Sequence, residues 1–65
     1  MPDYYPTVVR LLEEAGCYRV EMVRDGVEGW ESPRTGGRFL VDNPIRAKDN
    51  GNNILRNAGL APSLK

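Results

Sequence analysis

The chain has 65 residues, 40% of them hydrophobic and 28% charged, with nine basic and nine acidic side chains, no histidine and a single cysteine, Cys17. That length allows one domain, spanning residues 1–65, with a core of roughly a dozen side chains, and the composition is that of a globular protein rather than a disordered chain or a fibre. Cys17 alone excludes an internal disulfide, and one thiol without any histidine excludes the usual zinc ligand sets.

The uncharged apolar stretches run only a few residues, too short to cross a bilayer, so no membrane contact is expected and a reducing, cytoplasmic setting is predicted. A net charge of zero argues mildly against nucleic-acid binding, because phosphate contacts usually leave a basic excess. The average conceals an asymmetry: residues 1–33 hold seven acidic and three basic side chains, whereas residues 34–65 hold six basic and two acidic ones. A basic face on a neutral protein is therefore conceivable.

Tyr4, Val8, Leu11, Leu12 and Ala15 recur at helical spacing, with Arg10, Glu13 and Glu14 opposite them, which predicts an amphipathic first helix. Asp3 or Thr7 caps its start. Gly16 stands where a left-handed residue closes a helix after Ala15, and Cys17 can then pack back on Leu12. Glu13 and Glu14 in the last turn oppose the helix dipole. Cys17 itself, at a helix C-terminus that does not lower a thiol pKa, reads as structural.

From Cys17 to Arg24 polar and apolar residues alternate, predicting a strand with Tyr18, Val20 and Met22 on one face. Asp25-Gly26 is a tight-turn dipeptide, and extended character resumes from Val27 to Ser32 around Trp30. Ser32-Pro33-Arg34-Thr35-Gly36-Gly37 is dense in turn formers, and Arg38-Phe39-Leu40-Val41 reads as a third strand. Asp42-Asn43-Pro44 breaks the sheet and opens a polar connection to Asn50 in which Ile45 is the one large apolar residue.

A last helix is expected from about Asn50 to Ala58, buried through Ile54, Leu55 and Ala58, with Asp49 or Asn50 as its cap. Asn50-Gly51-Asn52-Asn53 is a poor helix start, since glycine and asparagine are weak helix formers, and reads as a loosely formed first turn or a polar end open to an anion. Gly59 takes the closing position and Leu60 the contact back to Leu55. Ala61 to Lys65 is expected to fray.

A helix, an antiparallel three-stranded meander and a second helix pack most economically with both helices on one sheet face. The predicted fold is thus a two-layer α+β domain in the order α-β-β-β-α. Trp30 and Phe39 are expected inside it, as the largest members of a small core.

The succession of Leu11-Leu12-Glu13-Glu14-Ala15-Gly16, Trp30-Glu31-Ser32-Pro33, Gly36-Gly37-Arg38-Phe39 and Ile54-Leu55-Arg56-Asn57-Ala58-Gly59-Leu60 resembles the HicA-type toxins of bacterial toxin-antitoxin pairs. The resemblance covers about residues 7 to 60. It implies a double-stranded-RNA-binding-like fold, endoribonuclease activity on messenger RNA and inhibition by a HicB-type antitoxin, with no DNA contact expected from this chain alone. In that family a histidine at the start of the second strand, the last of a Gly-Ser-His or Gly-Asp-His triplet, is catalytic. Here Asp25, Gly26 and Val27 occupy those positions, so Val27 replaces the histidine and no catalytic residue is carried over. A linker histidine of some relatives falls near Asp49.

Cleaving RNA requires a group that takes the 2′-hydroxyl proton and one that protonates the leaving oxygen, and imidazole suits both near neutral pH. Valine does neither. Asp25, Glu28 and Asp49 are the candidate substitutes, although Glu28 faces away from Val27 in an extended strand. Arg24, Arg34, Arg38, Arg46 and Lys48 are the candidate RNA phosphate contacts, with scattered surface charge as the alternative reading. Asp25, Glu28 and Glu31 are too unspecific a set for Mg²⁺, and neither metal nor cofactor is expected. Three functions stay open: a HicA-like binder of RNA or antitoxin with lost or reduced cleavage, an active ribonuclease with a substitute acid or base, and a protein-interaction module using the open sheet face or an edge strand.

Overall fold

The computed structural model describes residues 2–65. Helix α1 (Tyr5–Glu14) is followed by strands β1 (Tyr18–Arg24), β2 (Val27–Glu31) and β3 (Arg38–Asp42) and by helix α2 (Lys48–Asn57). The strands form one antiparallel sheet in the order β1-β2-β3. This is the expected α-β-β-β-α order and an α+β fold.

The N-cap of helix α1 is Tyr4, without a side-chain cap bond, so neither Asp3 nor Thr7 holds the cap position, and Asp3 braces the helix start from one residue before it. One carboxylate oxygen of Asp3 accepts the Tyr5 N–H at 2.9 Å and the Ile45 N–H at 3.0 Å, and these two backbone bonds hold the carboxyl below its usual range. The same junction carries a Tyr4 N–H to Ile45 carbonyl bond of 2.8 Å. The helix start and the β3–α2 connection are thereby tied together.

Both helices close in the same way. The Gly16 N–H bonds the Glu13 carbonyl and the Cys17 N–H bonds the Leu12 carbonyl; the Gly59 and Leu60 N–H groups do the same with Arg56 and Leu55. Gly16 and Gly59 lie at φ +89° and +82°, where a side chain is strained. The two Ala-Gly pairs of the sequence are therefore matched Schellman ends.

In β2 and β3 the cross-strand partners Trp30 and Phe39, and Glu28 and Val41, share the face turned to the helices. They meet Val8 and Leu12 from α1, Ile54 and Leu55 from α2, and Ile45 from the connection in a single core. Both helices thus lie on one sheet face, and Trp30 and Phe39 are inside, as expected.

Strand β1 departs from expectation. Its alternation predicted one buried face, yet all seven residues are exposed, and it adds no side chain to the core cluster. The helices lie over β2 and β3, and β1 projects beyond them at the sheet edge. Register shifts between Arg19 and Glu21 and between Met22 and Arg24 insert extra residues, so the period-two pattern does not stay in phase along the strand.

Helix α2 also begins earlier than predicted, at Lys48. Its N-cap is Ala47, in extended backbone and without a side-chain cap bond, so Asp49 and Asn50 sit inside the first turn instead of capping it. Asn50 donates to the Asp42 carboxylate at 2.7 Å. Gly51 is buried, and a Cβ there would lie 3.3 Å from Val8 Cγ2. The glycine permits close approach of α1 within a formed helix, where the sequence suggested a loose turn. Ala61 to Lys65 has no regular structure, and Leu64 within it packs on the core. Among the described residues no helix is long and apolar enough to cross a membrane.

The β2–β3 turn is fastened to α2 by Ser32. Its fully buried hydroxyl donates to the Ala58 carbonyl at 2.7 Å and accepts the Arg34 N–H at 3.2 Å, so it satisfies an acceptor at the end of α2 on a fully buried residue. Ser32→Ala leaves that carbonyl orphaned and is expected to lower stability by about 1–3 kcal/mol. A shift in the urea midpoint with an unchanged slope checks this; an unaltered midpoint contradicts it.

Candidate functional site at the start of strand β2

The β1–β2 turn holds Asp25 and Gly26, and the Gly26 carbonyl accepts the Asn43 N–H at 2.8 Å. This bond locks the turn to the end of β3. Val27 opens β2, pairing with Arg24 on one side and Asp42 on the other, and is 9% exposed. Asp42 in turn carries the bond from Asn50, which brings the first turn of α2, with Asp49, to the same end of the sheet. Val27 and Asp49, distant in sequence, are thereby gathered around one corner of the fold.

The three candidate acid-base groups fare differently. Asp25 and Asp49 are exposed at this corner. Glu28 is 2% exposed and points to the opposite, helix-covered side, as the strand alternation required. Its carboxylate accepts the Tyr5 hydroxyl, whose single proton lies between Oε1 at 2.9 Å and Oε2 at 2.8 Å, and the Trp30 indole N–H at 2.9 Å. Arg19 approaches at 3.7 Å from the exposed edge. Glu28 is consumed by this buried network and offers nothing to a ligand beside Val27.

The network was not identified in the sequence, although a signal existed. Glu28 stands two residues before Trp30 in a strand, so an inward Trp30 requires an inward Glu28. A buried carboxylate must then find donors.

The five candidate phosphate contacts do not come together. Arg24 ends β1 at the Val27 corner; Arg46 and Lys48 lead into α2, interleaved with Asp3, Asp42 and Asp49. Arg34 and Arg38 lie at the other end of β3, whose five residues span roughly 16 Å. Arg38 is further engaged with Glu31 at 3.5 Å and Glu21 at 4.0 Å across the sheet. On this side Glu31 also accepts the Tyr18 hydroxyl at 2.6 Å, and this bond, with help from Arg38, lowers its pKa. Antiparallel pairing has placed acidic residues of the first half beside a basic residue of the second. Among the described residues no group of three or more histidine, cysteine or carboxylate side chains is arranged to hold a metal ion.

Compared with protein-family models, with curated proteins and with solved structures, the chain matches none.

The Tyr5–Glu28 bond has a pH signature. Burial, followed by the bond to the Glu28 carboxylate, pushes the Tyr5 phenol from 10.0 up to about 12. A raised folded-state pKa means the protonated phenol is favoured by folding, so its contribution is intact below pH 10 and is lost as pH climbs towards about 12. Wild-type stability is expected to fall across that window. Tyr5→Phe should lose about 1–2 kcal/mol at neutral pH, given partial exposure, and show a flatter decline. Urea midpoints measured from neutral to alkaline pH test this, and parallel curves for the two proteins would contradict it.

Proposed function

We propose that the chain is a HicA-like protein that keeps the fold and the binding capacity of such toxins while its messenger-RNA endoribonuclease activity is lost or strongly reduced. The observation that carries this reading is the corner around Val27. A nearly buried valine begins β2, aspartate stands at the nearby start of α2, and the one buried carboxylate of that strand is committed to Tyr5 and Trp30 on the other side. General acid-base groups are worth about 10²–10⁴-fold in rate, and this corner has no imidazole to supply them.

Binding then becomes the function. A HicB-type antitoxin is the expected protein partner, and RNA the expected nucleic acid. Because the five cations are divided between two ends and mixed with carboxylates, RNA affinity is weak and only a subset of them contacts one strand segment. A cytoplasmic setting accords with such a partner and with the unpaired Cys17.

RNA cleavage by the wild-type chain and by Val27→His tests the reading. Wild type is expected to show no turnover above background, with any gain confined to the substituted protein; substantial wild-type cleavage would refute the loss of activity. An RNA titration at several salt concentrations adds the binding arm, with log affinity falling as log salt rises by a slope of about one to three counterions.

One observation favours a second reading, a protein-interaction module. Among the described residues, four of the five large hydrophobic side chains left exposed, Tyr18, Val20, Met22 and Val23, belong to the edge strand β1, and an edge strand with apolar side chains invites strand addition. Partner binding without any salt-dependent RNA binding selects this reading.

A further inference from the structure

The C-terminal segment turns back along α2 and is held there in a specific manner. The Asn52 side-chain amide pairs with both main-chain polar groups of Leu64: the Leu64 N–H donates to Asn52 Oδ1 at 2.9 Å, and Asn52 Nδ2 donates to the Leu64 carbonyl at 3.2 Å. A neighbouring β-strand would present the same donor and acceptor. The Leu64 side chain lies over Gly51, where a Cβ would stand 2.5 Å from Leu64 Cδ1, on a floor made by Val8 and Ile45. Gly51 thus leaves a dimple sized for one aliphatic side chain.

Between its two leucines the segment is poorly seated. Ala61 and Ser63 line an open cavity of about 260 Å³ between apolar Leu11, Leu55 and Leu60 and charged Glu14 and Arg34. The methyl group of Ala61 cannot fill that space. Main-chain pairing and one leucine hold the segment, while a second, partly apolar subsite stays unfilled.

We propose that the seam between α1 and α2 is a peptide-binding groove, occupied here by the chain's own tail. Its ligand is an extended segment of a partner protein carrying an aliphatic side chain for the Gly51 dimple and, three residues earlier, a large apolar side chain for the cavity beside Leu11 and Leu55. Asn52 recognises main chain and is indifferent to side chains, so specificity resides in those two positions. The tail competes in cis at an effective concentration in the millimolar range, and the partner gains over it by filling the second subsite. The inference is independent of RNA chemistry at β2.

The full-length Leu64→Asp chain, whose tail no longer seats, is titrated with the peptides Ala-Pro-Ser-Leu-Lys and Leu-Pro-Ser-Leu-Lys while amide shifts are followed by NMR. Saturable shifts at Asn52 are expected, with the leucine-bearing peptide binding about tenfold more tightly, weaker binding of both by wild type, and loss of binding when Gly51→Ala is added. A folded Leu64→Asp chain that binds neither peptide saturably, or both equally, overturns the groove. Wild-type dimers in which the Leu64–Asn52 contact forms between copies overturn occupation in cis. Should Leu64→Asp not fold, the wild-type background with Ala61→Leu decides: a raised denaturation midpoint is expected from filling the cavity, and an unchanged or lowered one overturns the second subsite.

Discussion

A carboxylate inside a core this small imposes more order than any apolar contact in it. Glu28 sits on the helix-facing side of β2, where desolvation would be costly without donors. Its hydrogen-bond donors come from two elements, the Tyr5 hydroxyl from the first residue of α1 and the Trp30 indole N–H from its own strand. Apolar packing alone would let α1 slide along the sheet at little cost, since hydrophobic contact is not directional. The shared Tyr5 proton allows one position, and no buried side-chain polar atom is left without a partner among the described residues.

The remaining polar fastenings follow the same logic at the other junctions. Asp3 joins the start of α1 to Ile45, Ser32 joins the β2–β3 turn to the end of α2, and Asp42 holds Asn50. Each satisfies groups at an element's end, where a short chain has no apolar area to spare. The helices lie over β2 and β3, α1 fastened at its start and α2 at both ends, while β1 is attached by strand pairing and a few edge contacts. Its exposed edge is the consequence of a core too small to cover three strands.

The charge distribution bears on function in a similar way. Two oppositely charged halves of the sequence invite the idea of a basic face, but a meander folds the halves into each other. Arg38 of the second half meets Glu31 and Glu21 of the first. What stands at the Val27 corner is a mixture of signs around a nearly buried apolar residue.

Much of the fold could be read from the residues. The two Ala-Gly helix ends, the turn dipeptides and the inward Trp30 and Phe39 are dictated by local backbone preference and by periodicity, which act within a few residues. The β1 burial pattern and the start of α2 were misread because bulges and helix placement are decided by neighbours far along the chain: Val8 and Leu64 determine what Gly51 is for, and the helices' position over β2 and β3 leaves β1 bare. For the site, the sequence by itself determined that Val27 cannot carry out acid-base chemistry and that no histidine replaces it. Only the tertiary structure decided that Glu28 is spent on Tyr5 and Trp30, that Val27 and the start of α2 share a corner, and that five cations make no common patch. Those facts depend on distances between residues tens of positions apart, and such distances are set by packing and desolvation, not by local sequence.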